Sequence, residues 1–131
     1  MAVAAADAIT GKVAVCVGGT SGIGQAIAIR LAKDKFNVIV VGRSLTAGAE
    51  VVQECKTAYP AGTHSMVQCD VSLLRNVATT CSELKSQLSR LDYLVLSQGI
   101  ASSAGRTETV EGVDVKMSLH YYSRIAFISN L

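Results

Sequence analysis

The chain has 131 residues, half of them hydrophobic and only 17% charged, with a formal net charge of +2. That length fits one domain, with room for a real core but little for a two-substrate enzyme. The charges are dispersed without a basic block, which argues against nucleic acid, and no apolar run is long enough to cross a bilayer.

The opening segment, MAVAAADAITGK, has no basic n-region and carries Asp7, so it makes a poor secretion signal and the expected compartment is cytoplasmic. Lys12–Val17 is the first strand, and its apolar run Val13–Val17 is of the kind found in central strands of a parallel sheet covered on both faces. Glycines follow, and then a helix over Gly22–Lys33 with Ile23, Ala26, Ile27, Arg30 and Leu31 on one stripe, four of the five apolar. Asn37–Val41 is the second strand, closed by GRS. A helix over Leu45–Tyr59 follows and is stopped by Pro60 and Gly62. Ser65–Cys69 is the third strand. Val77, Cys81, Leu84, Leu88 and Leu91 then recur at steps of four, three, four and three, the cleanest helical stripe in the chain, and Ser72 upstream can cap it. Tyr93–Leu96 is the fourth strand, followed by the polar loop SQGIASSAGRTET. The last helix is expected to start near Val110–Val113 and run to the end, with Val113, Met117, Tyr121, Ile125 and Ile128 on one side.

About four strands alternating with four helices predict an α/β doubly wound, Rossmann-like parallel sheet in a single unit over 1–131, with right-handed crossovers. Cys16, Cys55, Cys69 and Cys81 are spaced too irregularly for a CxxC site, and each falls in a predicted element. Buried free thiols are therefore expected rather than bridges, and nothing suggests zinc or another metal. The chain stops inside a helix without a cap or a shielding strand, which reads as an incomplete domain. An apolar fourth strand left bare at the edge would invite self-pairing, hence dimers or aggregates.

Gly18, Gly19, Gly22 and Gly24 fall where the first strand becomes the first helix. Bare backbone there lets a pyrophosphate sit against amide N–H groups at a helix N-terminus, where the dipole adds roughly half a positive charge. The spacing is Gly18-x-x-x-Gly22-x-Gly24, and no Lys-Ser/Thr follows, so a triphosphate P-loop is disfavoured. At the end of the second strand an NAD-type site wants a carboxylate about 20 residues past the glycines. Arg43 stands there instead, followed by Ser44. A cation would attract a 2′-phosphate and Ser44 could donate to it, which favours NADP(H) over NAD; Arg43 as a merely exposed solubilising residue is the competing possibility.

VGGTSGIGQAIAIRLAK resembles the cofactor motif TGxxxGxG of the short-chain dehydrogenase/reductase family, with Val17 where that family usually has Thr. The resemblance continues through VIVVGRS, QCDVS, LDYLVLSQG and RTETVEGVDVKMSLHYYSRIAFISNL, covering about Thr10 to Leu131 in what looks like a divergent branch. It implies a cofactor held by the turn residues Gly18, Thr20, Ser21, Gly22, Ile23 and Gly24, with Arg43 and Ser44 at the 2′-phosphate. It also implies that Asp70 accepts from the adenine amino group while the Val71 N–H helps; a capping role for Asp70 is equally open. SQG, where the family usually shows NAG, would let Gly99 pass the adenosine ribose with Gln98 beside it, or would be a plain turn.

The family signature YxxxK, with an upstream Ser, is absent: Tyr59, Tyr93, Tyr121 and Tyr122 are followed four residues later by Thr63, Ser97, Ile125 and Ala126. Catalytic residues are therefore unknown. His120 aligns with an Asn of the family's relay, but a lone His on a mixed helix is more often structural, and no catalytic role is assigned to it. The tyrosines are read as helix-packing aromatics with hydroxyls near the surface. The expected function is an NADP(H)-dependent oxidoreductase of a small-molecule carbonyl or alcohol, or its cofactor-binding portion. The alternatives are a non-catalytic dinucleotide-binding module and a truncated product without activity of its own.

Overall fold

A computed structural model describes residues 9–131. Residues 1–8, most of the segment weighed above as a secretion signal, lie outside the described residues.

Four parallel strands form one sheet in the order β3-β2-β1-β4: β1 (Val13–Val17), β2 (Asn37–Gly42), β3 (Ser65–Gln68) and β4 (Tyr93–Leu96). Val15 is registered with Ile39 of β2 on one side and with Leu94 of β4 on the other. Every residue of β1 and β2 is buried, because helices cover both faces of the sheet. Alternation then splits one apolar run between two cores. Val13, Val15, Val17, Ile39 and Val41 pack with Val77, Cys81 and Leu84 of α3 (Leu74–Gln87) and with Phe127. Ala14, Cys16, Val38 and Val40 pack on the other face. Their partners are Ala28, Leu31 and Ala32 of α1 (Gly22–Lys33) and Val51 and Cys55 of α2 (Leu45–Ala58). All four cysteines are free and buried.

The strands and the first two helices fall within a residue or so of the sequence expectation, but α3 stops at Gln87, so Leu88 and Leu91 of its expected stripe lie beyond the helix and pack on the same core, and two helical faces also differ. In α1 the buried residues are Gly24, Ala28, Leu31 and Ala32, whereas Ile23 is 77% exposed. Small residues face the sheet because the helix starts hard against β1, and the bulky Ile23 is left over the strand ends. Ser72 does not cap α3; the Glu111 carboxylate does, accepting from Leu74 N at 2.6 Å and Arg75 N at 3.1 Å.

The last helix begins later than expected and runs through α4 (Val115–Met117), a π-helical turn (Ser118–Tyr122) and α5 (Ser123–Asn130). Its buried residues are Ser118, Ser123 and Phe127. Met117, Tyr121, Ile125 and Ile128, the anticipated core stripe, are 46–60% exposed. The extra residue of the π turn rotates the helix, so Phe127 reaches the core while the longer apolar stripe faces outward. Tyr121 and Tyr122 pack edge to face on each other, ring centroids 5.3 Å apart, rather than into the core.

Candidate functional site: a cleft at the carboxyl ends of the strands

The turns leaving all four strands converge on one cleft of about 340 Å³, closed on its far side by Val115 and Leu119 of the last helix. In an open parallel sheet this is where ligands bind, because crossovers leaving in opposite directions open a crevice between strands.

The first turn explains its glycines separately. A Cβ on Gly24 would collide with the Gly18 carbonyl oxygen and the Ser97 hydroxyl, and one on Gly18 would stand 2.6 Å from Gln98 N. Those two glycines permit close packing between the turn, the helix start and β4. Gly22 differs: its φ is +55° and a Cβ there would meet nothing within 4 Å. Its backbone conformation, not its neighbours, asks for glycine, and it leaves the helix start open. Ser21, the N-cap of α1, makes no side-chain cap and no acidic residue lies in the first turn, while α2 is capped by Ser44 and α3 by Glu111. Among the described residues, the first-turn amides of α1 thus have no side-chain acceptor next to the cleft, a setting suited to an anion.

At the end of β2, Gly42 carries no side chain, and Thr20 occupies the space a Cβ would need, its Cγ2 2.5 Å away. Arg43 follows at the cleft margin with an exposed side chain and a carbonyl that accepts from Gln68 Nε2 at 3.0 Å. Its backbone is pinned while the guanidinium can reach a ligand. After β3, the Asp70 carboxylate accepts from Ser72 N at 3.0 Å and Ser72 Oγ at 2.7 Å, so it shapes a local turn rather than capping α3. After β4, Gln98 is buried and donates through Nε2 to Ser123 Oγ at 3.1 Å, with its Oε1 unpartnered. Its side chain is committed to the last helix.

Gly18, Thr20, Ser21, Ile23, Gly24, Arg43, Asp70, Val71, Gln98 and Gly99 all line the cleft. Gly22 sits at the helix start beside it, and Ser44 uses its hydroxyl on Ala47 N at 3.2 Å. Sequence reasoning missed Val41, Gly42, Cys69, Ser72, Ser97, Ile100, Val115 and Leu119. Gly42 and Ser97 could have been found as neighbours of strand ends; Val115 and Leu119 arrive from a helix whose start was misplaced. No tyrosine lines the cleft. Tyr93 stands at the start of β4, at the opposite end of the sheet, and Tyr121 and Tyr122 lie exposed on the outer side of the last helix.

Residues 12–121 match the short chain dehydrogenase family. An oxidoreductase of Emericella nidulans is 40% identical over 120 residues, 90% of this chain and 36% of that protein. Among solved structures, the RhlG–NADP complex of Pseudomonas aeruginosa superposes with a TM-score of 0.78 at 26% identity, over 95% of this chain and 48% of that one. The L-sorbose reductase of Gluconobacter frateurii, in complex with NADPH and L-sorbose, gives 0.77 at 27% identity, over 95% of this chain and 47% of that one. The chain therefore spans roughly a third to a half of the length of these relatives. By its matched residues, its strand order and its glycine turn, this chain belongs to the short-chain dehydrogenase family.

Proposed function

We propose that the chain is the cofactor-binding portion of an NADP(H)-dependent oxidoreductase acting on a small carbonyl or alcohol. The diphosphate sits on the open amides at the start of α1, beside Gly22. The adenine lies toward Asp70 and Val71, and the 2′-phosphate meets Arg43. Bound NADPH would supply a hydride to a carbonyl carbon; the protein's part is to hold it, orient it and keep water from the inner cleft through Ile23, Val115 and Leu119.

The single observation that carries the cofactor choice is the end of β2. Gly42 offers no carboxylate to a ribose diol, Thr20 fills the space where a side chain would stand, and Arg43 stands free at the margin. The solved relatives that contain NADP or NADPH support the same reading. Because no tyrosine of the sequence has a lysine four residues on, this chain alone is expected to bind without turning a carbonyl over.

Titration with NADPH and NADH tests the assignment. A charge-assisted contact to phosphate is worth about 1.5–3 kcal/mol, so Arg43→Ala should weaken NADPH by roughly 10- to 100-fold and hardly change NADH. Equal affinity for the two nucleotides in the unaltered chain, or indifference to Arg43→Ala, overturns it.

A further inference from the structure

The π-helical turn Ser118–Tyr122 stitches the last helix to two walls of the cleft. Ser118 and Ser123, five residues apart, both face inward and are fully buried. Ser118 Oγ donates to Ser72 O at 2.5 Å, on the β3 side. Ser123 Oγ accepts from Gln98 and donates to Leu119 O at 2.8 Å, and Arg124 donates to Gln98 O at 2.8 Å, on the β4 side. A regular α-helix would not bring residues five apart onto one face; the wide turn does, and such turns gather at functional sites.

Between those two serines stands His120. Its Nε2 lies 3.1 Å from Ile100 N and 3.0 Å from Ile100 O. A Cβ on Gly99 would come within 2.5 Å of His120 Cε1, so the bare backbone of Gly99 is what seats the imidazole. One nitrogen cannot accept from Ile100 N and donate to Ile100 O at once; the tautomer decides which peptide group is held. Ile100 itself lines the cleft, and the chain beyond it is exposed through Glu108.

We propose that His120 is a positioning residue: it latches the Gly99–Ile100 backbone to the last helix and so fixes the inner wall against which the nucleotide lies. This rests on the nucleotide reading above. Gly99 accordingly serves the imidazole seat first, and any closeness to a ribose second. The latch needs a side chain whose hydrogen-bonding atoms reach as far as Nε2, with either a donor or an acceptor available. Gln satisfies both requirements; Ala satisfies neither.

The test uses the full chain, with His120→Ala, His120→Gln and Gly99→Ala, each checked by circular dichroism and thermal melting for a native fold. Without nucleotide, backbone amide exchange in the segment around Ile100 should quicken about tenfold in His120→Ala and in Gly99→Ala, and return toward the original rate in His120→Gln. NADPH affinity should fall about tenfold in the first two and recover in the third. If His120→Ala exchanges and binds like the unaltered chain, or if Gln restores nothing, the latch is wrong while the nucleotide cleft stands. If the unaltered chain binds no NADPH, the nucleotide reading falls and takes with it the link from latch to affinity, and the exchange rates still decide the latch itself.

Discussion

Gly24 and Gly22 stand two residues apart yet fail differently when altered. At Gly24 any side chain meets the Gly18 carbonyl, a backbone atom that cannot rotate away. Gly24→Val is expected to destabilise the fold by roughly 3 kcal/mol or more, read as a lowered urea midpoint. Gly22→Ala meets no neighbour and carries only the left-handed backbone strain, about 1–2 kcal/mol, so it should fold. Gly22→Val adds branching at a positive φ and a bulk over the open amides; it should lose nucleotide binding, seen by titration, beyond its effect on melting. The motif was legible in the sequence, but the division of labour within it was not, because it rests on the tight fold of the turn that brings Gly24 onto the Gly18 carbonyl and on the pairing of β4 with β1 that brings Ser97 against both. The cysteines show the same dependence on burial. Desolvation pushes the Cys16 thiol up to about 12, and Cys55 and Cys81 to about 11, from an ordinary 9.0. The unfolded chain therefore loses thiol protons near pH 9 while the folded one keeps them. Their contribution to stability is whole below that pH and is lost as pH rises toward 11–12. Urea midpoints should fall over that alkaline range, and a thiol reagent should react with the native protein far more slowly than with the unfolded one.

Among the elements, α3 is tied by a distant carboxylate to the turn that precedes the last helix. Glu111 caps α3 by accepting from the amides of Leu74 and Arg75. Glu111→Ala should lower stability by about 1 kcal/mol through the lost cap and its interaction with the helix dipole, measured by urea unfolding. The sequence pointed to Ser72 as the cap because capping signals are sought next to the helix they serve. A partner 37 residues away in sequence is invisible to that rule. The stripe of α3, in contrast, was legible over Val77, Cys81 and Leu84, which repeat at a regular helical period, while Leu88 and Leu91 continue the spacing past the end of the helix. The last helix broke the rule because its period is interrupted. Ser118 and Ser123, though polar, point inward because hydrogen bonds to Ser72 O, to Leu119 O and from Gln98 satisfy their hydroxyls, while the more hydrophobic stripe is left outside.

For the molecule as a whole, the sheet ends on one side at β4, whose residues are only partly buried. On the last helix, Met117, Tyr121, Tyr122, Ile125 and Ile128 are apolar or aromatic residues left exposed. A strand edge unpaired among the described residues and several exposed apolar side chains favour association. Sedimentation velocity across a concentration series should show growing species, and Ile125→Lys combined with Ile128→Lys should reduce them without lowering the melting temperature. A chain that stays monomeric at high concentration would mean that neither surface is adhesive.

Local pattern along the chain is enough to set the succession of strands and helices, most of their limits and the place of the glycine turn, because each depends on periodicity and on residues that only certain backbones accept. It also puts Arg43, not a carboxylate, after β2. Packing in three dimensions selects which face of α1 and of the last helix turns inward, which carboxylate caps α3, and that His120 meets Ile100 over Gly99. Those outcomes depend on how closely one backbone approaches another and on a single inserted residue in a helix, quantities set by packing across the sheet and carried by no local pattern.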